Sequence, residues 1–408
     1  MGYTLIIDGN YFLFRTLHVI GKGAEIQSGS EILGTDEDRE MYVRKLATDL
    51  AYQLRLIDGF IDNVVWTLDS RSWRKDFYPD ANYKGTRKKS SDLNWDNFTK
   101  ATGEFKNILA SHGVVISQID GAEGDDLIYA WNTECLANCK STLIFTGDKD
   151  LLQLVAKNDT NDAHSIMYSP VHKKLYVPQG YDKWIEKENT NNDIFAVLKS
   201  SVALTTRSKQ LVDIMTTKGK ATLYEVDPVE VMFTKVLTGD AGDNVAPAYW
   251  YTKDSKSGST RTYGVTERKA LLVIEDFRKK HGALNSMYLH SQEHINDLAK
   301  ILIRIVNAKY MSQDQIISNI NTNINLMILN NKTIPDGILE AMFGHIESTI
   351  SSMDTKMNEM TSMKKILANT EYLSANGMKL NSSIFKDDTD SNDGLDFITD
   401  RKQKGNLF

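Results

Sequence analysis

Short apolar runs alternate with amphipathic stretches through the first part of the chain. Apolar runs at 3–7, 64–68, 114–119 and 141–146 predict strands, and apolar residues recur at helical spacing at 38–57, 104–111, 125–139 and 150–156. Strands separated by helices predict an α/β fold, with a mostly parallel central sheet flanked by helices on both faces.

The pattern changes after residue 156. The span 167–177 predicts two strands around a turn, and 181–226 is predicted to be a polar insertion. From 227 onward helical patterns dominate, interrupted by a loop at 247–261. The last stretch, 386–408, is largely acidic and rich in Gly, Ser and Asn, which predicts a flexible tail.

Composition narrows the class of protein. Lys and Arg number 48 and Asp and Glu 54, a net charge of −6, which taken alone argues against a nucleic-acid partner. The chain has only two cysteines, Cys135 and Cys139, too few for a disulfide framework or a zinc site of their own. No apolar run is long enough to span a membrane and the start does not resemble a signal peptide, so we expect a cytoplasmic protein.

The positions of the acids change that picture. Asp8, Asp69 and Asp148 each follow a predicted strand, and another acidic group opens the helix after the third strand. In an open α/β sheet the carboxyl ends of the strands form the ligand-binding crevice, so these acids should converge there. The candidate metal ligands are Asp8, Asp69, Glu123, Asp125, Asp126, Asp148, Asp150, Asp240 and Asp243.

So many carboxylates repel one another unless cations neutralise them. Oxygen ligands select Mg²⁺ or Mn²⁺, and two such ions are a known device for phosphodiester hydrolysis. The alternative is that each acid is a helix cap or turn residue. That alternative is strongest for Asp126, which could simply favour a helix N-terminus.

A basic, aromatic segment follows Asp69. Its aromatic residues could stack on unpaired bases while its cations follow a phosphate backbone; the alternative is an ordinary solvated helix. Lys84 and Arg87 are the candidate catalytic residues, as electrostatic stabilisers at the cleaved phosphate. The other residues of this segment predicted to bind nucleic acid are Arg71, Arg74, Lys75, Tyr83, Lys88 and Lys89.

The motifs together resemble the 5′-nuclease superfamily, the flap endonucleases and 5′→3′ exonucleases, and among them the phage-encoded ribonuclease H type. The resemblance spans roughly 3–280. It rests on Ile7-Asp-Gly-Asn10, Leu68-Asp69 with Trp73-Arg-Lys75, Tyr83-Lys-Gly-Thr-Arg87, Ala122-Glu-Gly-Asp-Asp126, Thr146-Gly-Asp-Lys-Asp150, Tyr168-Ser-Pro-Val-His-Lys-Lys174 and Gly239-Asp-Ala-Gly-Asp-Asn-Val245.

The resemblance implies an α/β nuclease core at 1–180 with a helical arch at 71–100, and the polar insertion at 181–226. A DNA-binding helix–three-turn–helix module follows at 227–285, then a helical region at 286–385 and the tail at 386–408. It also implies two Mg²⁺ ions. Asp8, Asp69, Glu123 and Asp125 would hold the first, Asp148, Asp150 and Asp243 the second, with Asp126 and Asp240 farther out.

The module departs from the family pattern. The family's Gly-x-Gly turn holds K⁺, whereas this chain has Gly264 without a second glycine, so a K⁺ site is left open. Backbone amides at the helix start, with Thr266 and Lys269, would still hold a duplex. Arg15 is a further nucleic-acid candidate, with a surface salt bridge as the alternative.

The resemblance implies a monomeric nuclease that removes primers and flaps in DNA replication and repair, acting on branched or nicked DNA and RNA–DNA hybrids. The end of the tail, 403–408, resembles peptides that dock on sliding clamps, and the family suggests a single-stranded-DNA-binding protein as a partner. Two alternatives stay open: a catalytically inactive DNA-binding relative, and an α/β Mg²⁺-dependent phosphohydrolase.

Overall fold

The computed structural model describes residues 2–23, 31–87, 92–158, 160–181, 200–254 and 260–356. A seven-stranded sheet in the order β3-β2-β1-β4-β5-β6-β7 forms its centre. The strands are β1 Tyr3–Asp8, β2 Ile61–Thr67, β3 Val115–Ser117, β4 Thr142–Phe145, β5 Ser165–Ser169, β6 Lys174–Pro178 and β7 Thr222–Val226. Every neighbouring pair is parallel except β5–β6, which confirms the predicted fold class.

Helices cover both faces of the sheet and form the C-terminal part. They are α1 Gly9–Gly23, α2 Asp36–Leu54, α3 Arg74–Phe77, α4 Trp95–Ser111, α5 Gly124–Ala137, α6 Ser200–Thr217, α7 Pro228–Thr238, α8 Glu267–His281, α9 Gln292–Val306, α10 Gln313–Met327 and α11 Asp336–Lys356. None of the helices described is long and apolar enough to cross a membrane.

The sheet has an apolar core on each face. Leu5 and Ile7 of β1 pack into the core beneath α1, α2 and α4, whereas Ile6 packs into the core beneath α5. This alternation follows from the two-residue period of a strand, and it explains why β1 is a continuous apolar run. The run ends at Asp8, at the carboxyl edge of the sheet.

A third apolar core holds α7, α8, α9 and α10 together. The last helix behaves differently, because Met342 and Ile346 of α11 pack on the sheet core beside α5. The region predicted as one helical extension therefore supplies helices to two cores. Residues 357–385 and the predicted tail at 386–408 lie outside the described residues.

Three predicted segments have a different structure. The predicted polar insertion contains α6 and the edge strand β7. Leu211, Val212 and Met215 of α6 are buried in the first core. The predicted loop at 247–261 contains β8 Trp250–Asp254, which pairs with β9 Thr260–Gly264 as an antiparallel hairpin. The predicted arch at 71–100 contains the one-turn α3, a 3₁₀ turn at Pro79–Ala81 and the start of α4, with 88–91 outside the described residues.

Candidate active site

Four carboxylates line a crevice at the carboxyl edge of the sheet, and we call Asp8, Asp69, Asp125 and Asp148 the acid cluster. Asp8 ends β1, is 8% exposed, and accepts hydrogen bonds from the Tyr11 backbone N–H (2.9 Å) and Thr146 Oγ1 (2.8 Å). These two bonds hold its carboxylate in one orientation.

The rest of the acid cluster is more open to solvent. Asp69 follows β2 and accepts a 2.6 Å hydrogen bond from the Gly124 backbone N–H at the start of α5. A Cβ at position 124 would lie 3.1 Å from Asp69 Oδ1, so glycine allows this close approach. Asp69 and Asp148 are exposed and Asp125 is half-buried. The cluster is therefore accessible from outside.

Burial, with neighbouring charges, raises the pKa values of three members of the acid cluster. Desolvation, and then the charges of Asp69 and Asp148, raise the pKa of Asp8 to about 7. Desolvation also raises the pKa of Asp69, and desolvation with the charges of Asp148 and Asp8 raises that of Asp125 well above its ordinary value. A divalent cation would relieve this repulsion.

A second acidic group lies beside the cluster. Desolvation and the charge of Asp148 raise the pKa of Asp150 to about 7. Lys235 of α7 forms ion pairs with Asp150 and, at 2.9 Å, with Asp240. Lys235 is not among the residues predicted from the sequence, where its only local signal is its position five residues before Asp240.

Glu123 and Asp126 are tied to a buried arginine. Arg74 is 2% exposed and contacts Glu123 at 2.7 Å and Asp126 at 2.8 Å. Trp73 Nε1 also donates to Asp126 at 3.0 Å, and Asp126 caps α5 by accepting from the Glu123 backbone N–H. Asp126 is thus a cap and ion-pairing residue, with no exposed surface.

Lys84 completes the group around Glu123. Its Nζ lies 2.5 Å from Glu123 Oε1 and 3.9 Å from Asp243 Oδ2. Burial alone would raise the pKa of Glu123, but the charges of Lys84 and Arg74 lower it to about 2. Arg87 pairs with Asp243 on the more exposed side. Both predicted catalytic cations therefore lie at the acidic crevice.

Two residues predicted to bind nucleic acid are in the interior instead. Arg74 is buried by its ion pairs, and Tyr83 is 7% exposed because its hydroxyl donates to Glu123 (3.2 Å) and Asp243 (3.0 Å). In this structure neither presents its polar group to a phosphate. Both instead hold the basic segment against the acidic one.

The remaining predicted residues of the basic segment are at the surface or outside the described part. Arg71 and Lys75 are exposed, and Arg71 pairs with Asp76. Lys88 and Lys89 lie outside the described residues.

Arg15 of α1 has an unsatisfied donor. Its Nη1 is buried and, among the described residues, has no hydrogen-bond partner. Tyr11, one turn earlier on α1, lies against Gly147, where a Cβ would be 2.3 Å from the tyrosine ring, next to the acid cluster.

The predicted module residues lie at the start of α8. Thr266 caps α8, accepting from the Lys269 backbone N–H at 3.4 Å, and Lys269 is exposed. Gly264 ends β9 against Pro247, where a Cβ would lie 2.6 Å from the proline Cγ. The absence of a side chain at Gly264 therefore allows β9 to pack closely against Pro247.

The donor set at the crevice suits a divalent ion. Carboxylate oxygens are the ligands that Mg²⁺ or Mn²⁺ prefers, and the acid cluster supplies four such groups in an open crevice. Among the described residues, no group of three or more His, Cys, Asp or Glu side chains is arranged to hold a metal ion. The residues fit such an ion chemically.

A family model matches the part of the chain that carries this crevice. Residues 3–185 match the model described as the 5′-3′ exonuclease, N-terminal resolvase-like domain. A search of curated proteins finds no match.

Among solved structures, the bacteriophage T5 D15 protein co-crystallised with metal ions is 14% identical, with 85% of this chain and 98% of that chain covered and a TM-score of 0.43. The catalytic core of Rad2 in complex with a DNA substrate is 11% identical, with 90% and 93% covered and a TM-score of 0.36. The family match agrees with the resemblance found in the motifs: residues 3–185 match the N-terminal resolvase-like domain of the 5′-3′ exonucleases.

Proposed function

We propose that this chain is a structure-specific 5′ nuclease that hydrolyses phosphodiesters with divalent metal ions, acting as a flap endonuclease and 5′→3′ exonuclease. Branched or nicked DNA and RNA–DNA hybrids are the proposed substrates, and primer removal in DNA replication and repair is the proposed role. The observation that carries the proposal is the acid cluster, four mutually repelling carboxylates at the open edge of a 5′-3′ exonuclease domain.

The proposed cofactor is Mg²⁺, with Mn²⁺ as a substitute. Asp8, Asp69 and Asp125 would hold one ion together with Glu123, and Asp148, Asp150 and Asp243 would hold the second. When bound, such ions supply an activated water and stabilise the leaving oxygen. In this structure Lys84, Arg87 and Lys235 partly neutralise the same acids.

The chain's own cations would position the substrate. Lys84 and Arg87 bring two positive charges to the crevice beside Glu123 and Asp243, where a scissile phosphate would develop further negative charge. Arg15 of α1, a further nucleic-acid candidate from the sequence, would hold a neighbouring phosphate. These groups would orient the strand relative to the acid cluster.

Cleavage of a labelled 5′-flap duplex with Mg²⁺ tests the proposal. Asp148→Asn and Asp150→Asn should each abolish cleavage while leaving binding of the same flap, measured in EDTA, within about threefold, since neutralising one acid removes no cation. Asp314→Asn, an exposed acid at the start of α10, is the matched control and should cleave as the unmodified chain does.

The mapped products separate the remaining possibilities. Full activity in both variants would refute the site assignment. Flap binding with no cleavage by the unmodified chain would identify a non-catalytic relative. Hydrolysis of a small phosphate ester without cleavage of the flap would identify a phosphohydrolase instead.

A further inference from the structure

The hairpin β8–β9 carries a patterned face. In its register Tyr251 lies opposite Tyr263, and Lys253 lies opposite Arg261. Because side chains alternate between the two faces of a strand, these four residues share one face of the hairpin. That face is therefore made of an aromatic pair followed by a basic pair.

The aromatic pair extends into a stack of three rings. Tyr251 stacks on Tyr263 with centroids 5.2 Å apart and planes at 17°, and on Tyr310 at 4.5 Å and 21°. Tyr310 lies beyond the end of α9 and is 64% exposed, and Tyr263 is 42% exposed. Flat aromatic surface is thus presented to solvent at both outer rings.

The basic pair lacks compensation. Like charges directly opposite each other on a sheet destabilise it, and within the described residues neither Lys253 nor Arg261 forms an ion pair. Lys309, next to Tyr310, is also exposed. An anionic group bound along this face would be attracted by both cations and would reduce their mutual repulsion.

The base of the hairpin is held by hydrogen bonds and close packing. The Val265 N–H donates to the Tyr249 carbonyl at 3.1 Å, and the Lys309 N–H donates to the Tyr249 hydroxyl at 3.3 Å. Gly264 packs on Pro247, a few residues after Asp243. The tyrosine stack therefore rests on a hairpin base that is fixed by hydrogen bonds and close packing.

We propose that Tyr251, Tyr263, Tyr310, Lys253 and Arg261 form a binding surface for an unpaired DNA strand. Exposed rings offer stacking faces to splayed bases, and the cations follow the phosphates. A duplex keeps its bases stacked on each other and would not use the rings. This surface lies outside the acid cluster and the basic segment, and its binding does not depend on cleavage.

Fluorescence anisotropy of labelled oligo(dT) in EDTA tests the surface without cleavage. Tyr310→Ala and Tyr263→Ala should each bind roughly tenfold more weakly, the scale of one lost base-stacking contact. Tyr310→Phe keeps the ring and should bind normally. Tyr224→Ala, at an exposed tyrosine on the edge strand β7, is the matched control and should also bind normally.

The cations have a separate signature. Lys253→Ala and Arg261→Ala should each lower the slope of log K against log salt by about 0.7, the value for one phosphate contact on a single strand. Binding of a blunt duplex should be unchanged in Tyr310→Ala.

Unchanged oligo(dT) binding in both tyrosine variants would overturn the proposal and leave the face to a protein partner. A dimer of the unmodified chain that Tyr310→Ala dissolves would also overturn it, by assigning the face to a second copy. Either result leaves the cleavage assay with Asp148→Asn and Asp150→Asn unaffected, so failure of this surface and failure of the nuclease are distinguishable.

Discussion

Among single residues, Lys84 combines an unusual backbone conformation with a central position. Its φ is +54°, a left-handed value that non-glycine residues seldom adopt. Its backbone N–H donates to the Asp243 carbonyl at 2.8 Å, and its Nζ reaches Glu123. Strained residues that are held by their surroundings often mark functional sites. Here the backbone bond aims the ammonium group at the crevice.

Replacing Lys84 with Ala should slow the chemical step by about a hundredfold or more, the effect of removing one electrostatic stabiliser. Flap affinity should change much less, because one cation among several contributes little to binding. Single-turnover cleavage and equilibrium binding in EDTA measure the two effects. Lys100→Ala, an exposed lysine on α4, is the control. A larger loss in affinity than in rate would contradict the role.

Among the helices and strands, Arg74 joins three parts of the fold. It belongs to α3, pairs with Glu123 and Asp126 at the start of α5, and donates to the Leu326 carbonyl of α10 at 2.8 Å. Its side chain is almost fully buried. The short basic segment is therefore fastened both to the sheet domain and to a C-terminal helix.

Arg74→Met should lower the free energy of unfolding by about 3–5 kcal/mol, because Asp126 would remain buried without its cation and Glu123 would keep only Lys84. Urea denaturation in EDTA measures the loss. Arg71→Met removes an exposed arginine of the same segment and should change stability by less than about 0.5 kcal/mol. Equal, small changes in the two variants would show that the pairs of Arg74 do not fasten the segment.

Across the whole molecule, the net charge of −6 conceals an uneven distribution. Acids are concentrated at the carboxyl edge of the sheet, and some of them are already paired with Lys84, Arg74 and Lys235. Asp8 and Asp125 keep raised pKa values, so their ionisation opposes folding in the absence of divalent ions. Stability should therefore depend on pH and on Mg²⁺ together.

In EDTA the folded state binds more protons than the unfolded state between the ordinary Asp pKa and the raised values, about 7 for Asp8 and Asp150. Stability contributed by these groups is thus lost as pH rises, and the melting temperature should fall by several degrees between about pH 5 and pH 8. The pKa of Glu123 is lowered to about 2, so the stability that this group contributes is lost as pH falls, and only below the ordinary Glu pKa.

Mg²⁺ should raise the melting temperature more at about pH 8 than at about pH 5, because cation binding competes with protonation. Differential scanning calorimetry, with Na⁺ at matched ionic strength as control, measures the difference. Asp125→Asn should flatten the fall with pH. Equal stabilisation by Mg²⁺ at both pH values would contradict a cation site at these acids.

The alternation of strands and helices, and the placement of Asp8, Asp69 and Asp148 just after strands, follow from the local sequence. Strand periodicity and the residue that ends a strand are properties of a few neighbouring positions. A parallel sheet then brings the strand ends to one edge, which is why the acid cluster was predictable from the order of residues alone. The inserted hairpin and the edge strand β7 were not predicted, because their short, polar segments carry weak periodicity.

The pairing of each cation with its acid depends instead on tertiary packing. Arg74 and Asp126 are 52 positions apart, and Lys235 reaches back to Asp150 from another helix. No local pattern distinguishes Arg74, buried with its acids, from Arg71, exposed in the same segment. Likewise Tyr310 stacks on Tyr251 because α9 ends beside the hairpin. Burial and long-range packing, rather than spacing along the chain, selected these pairs.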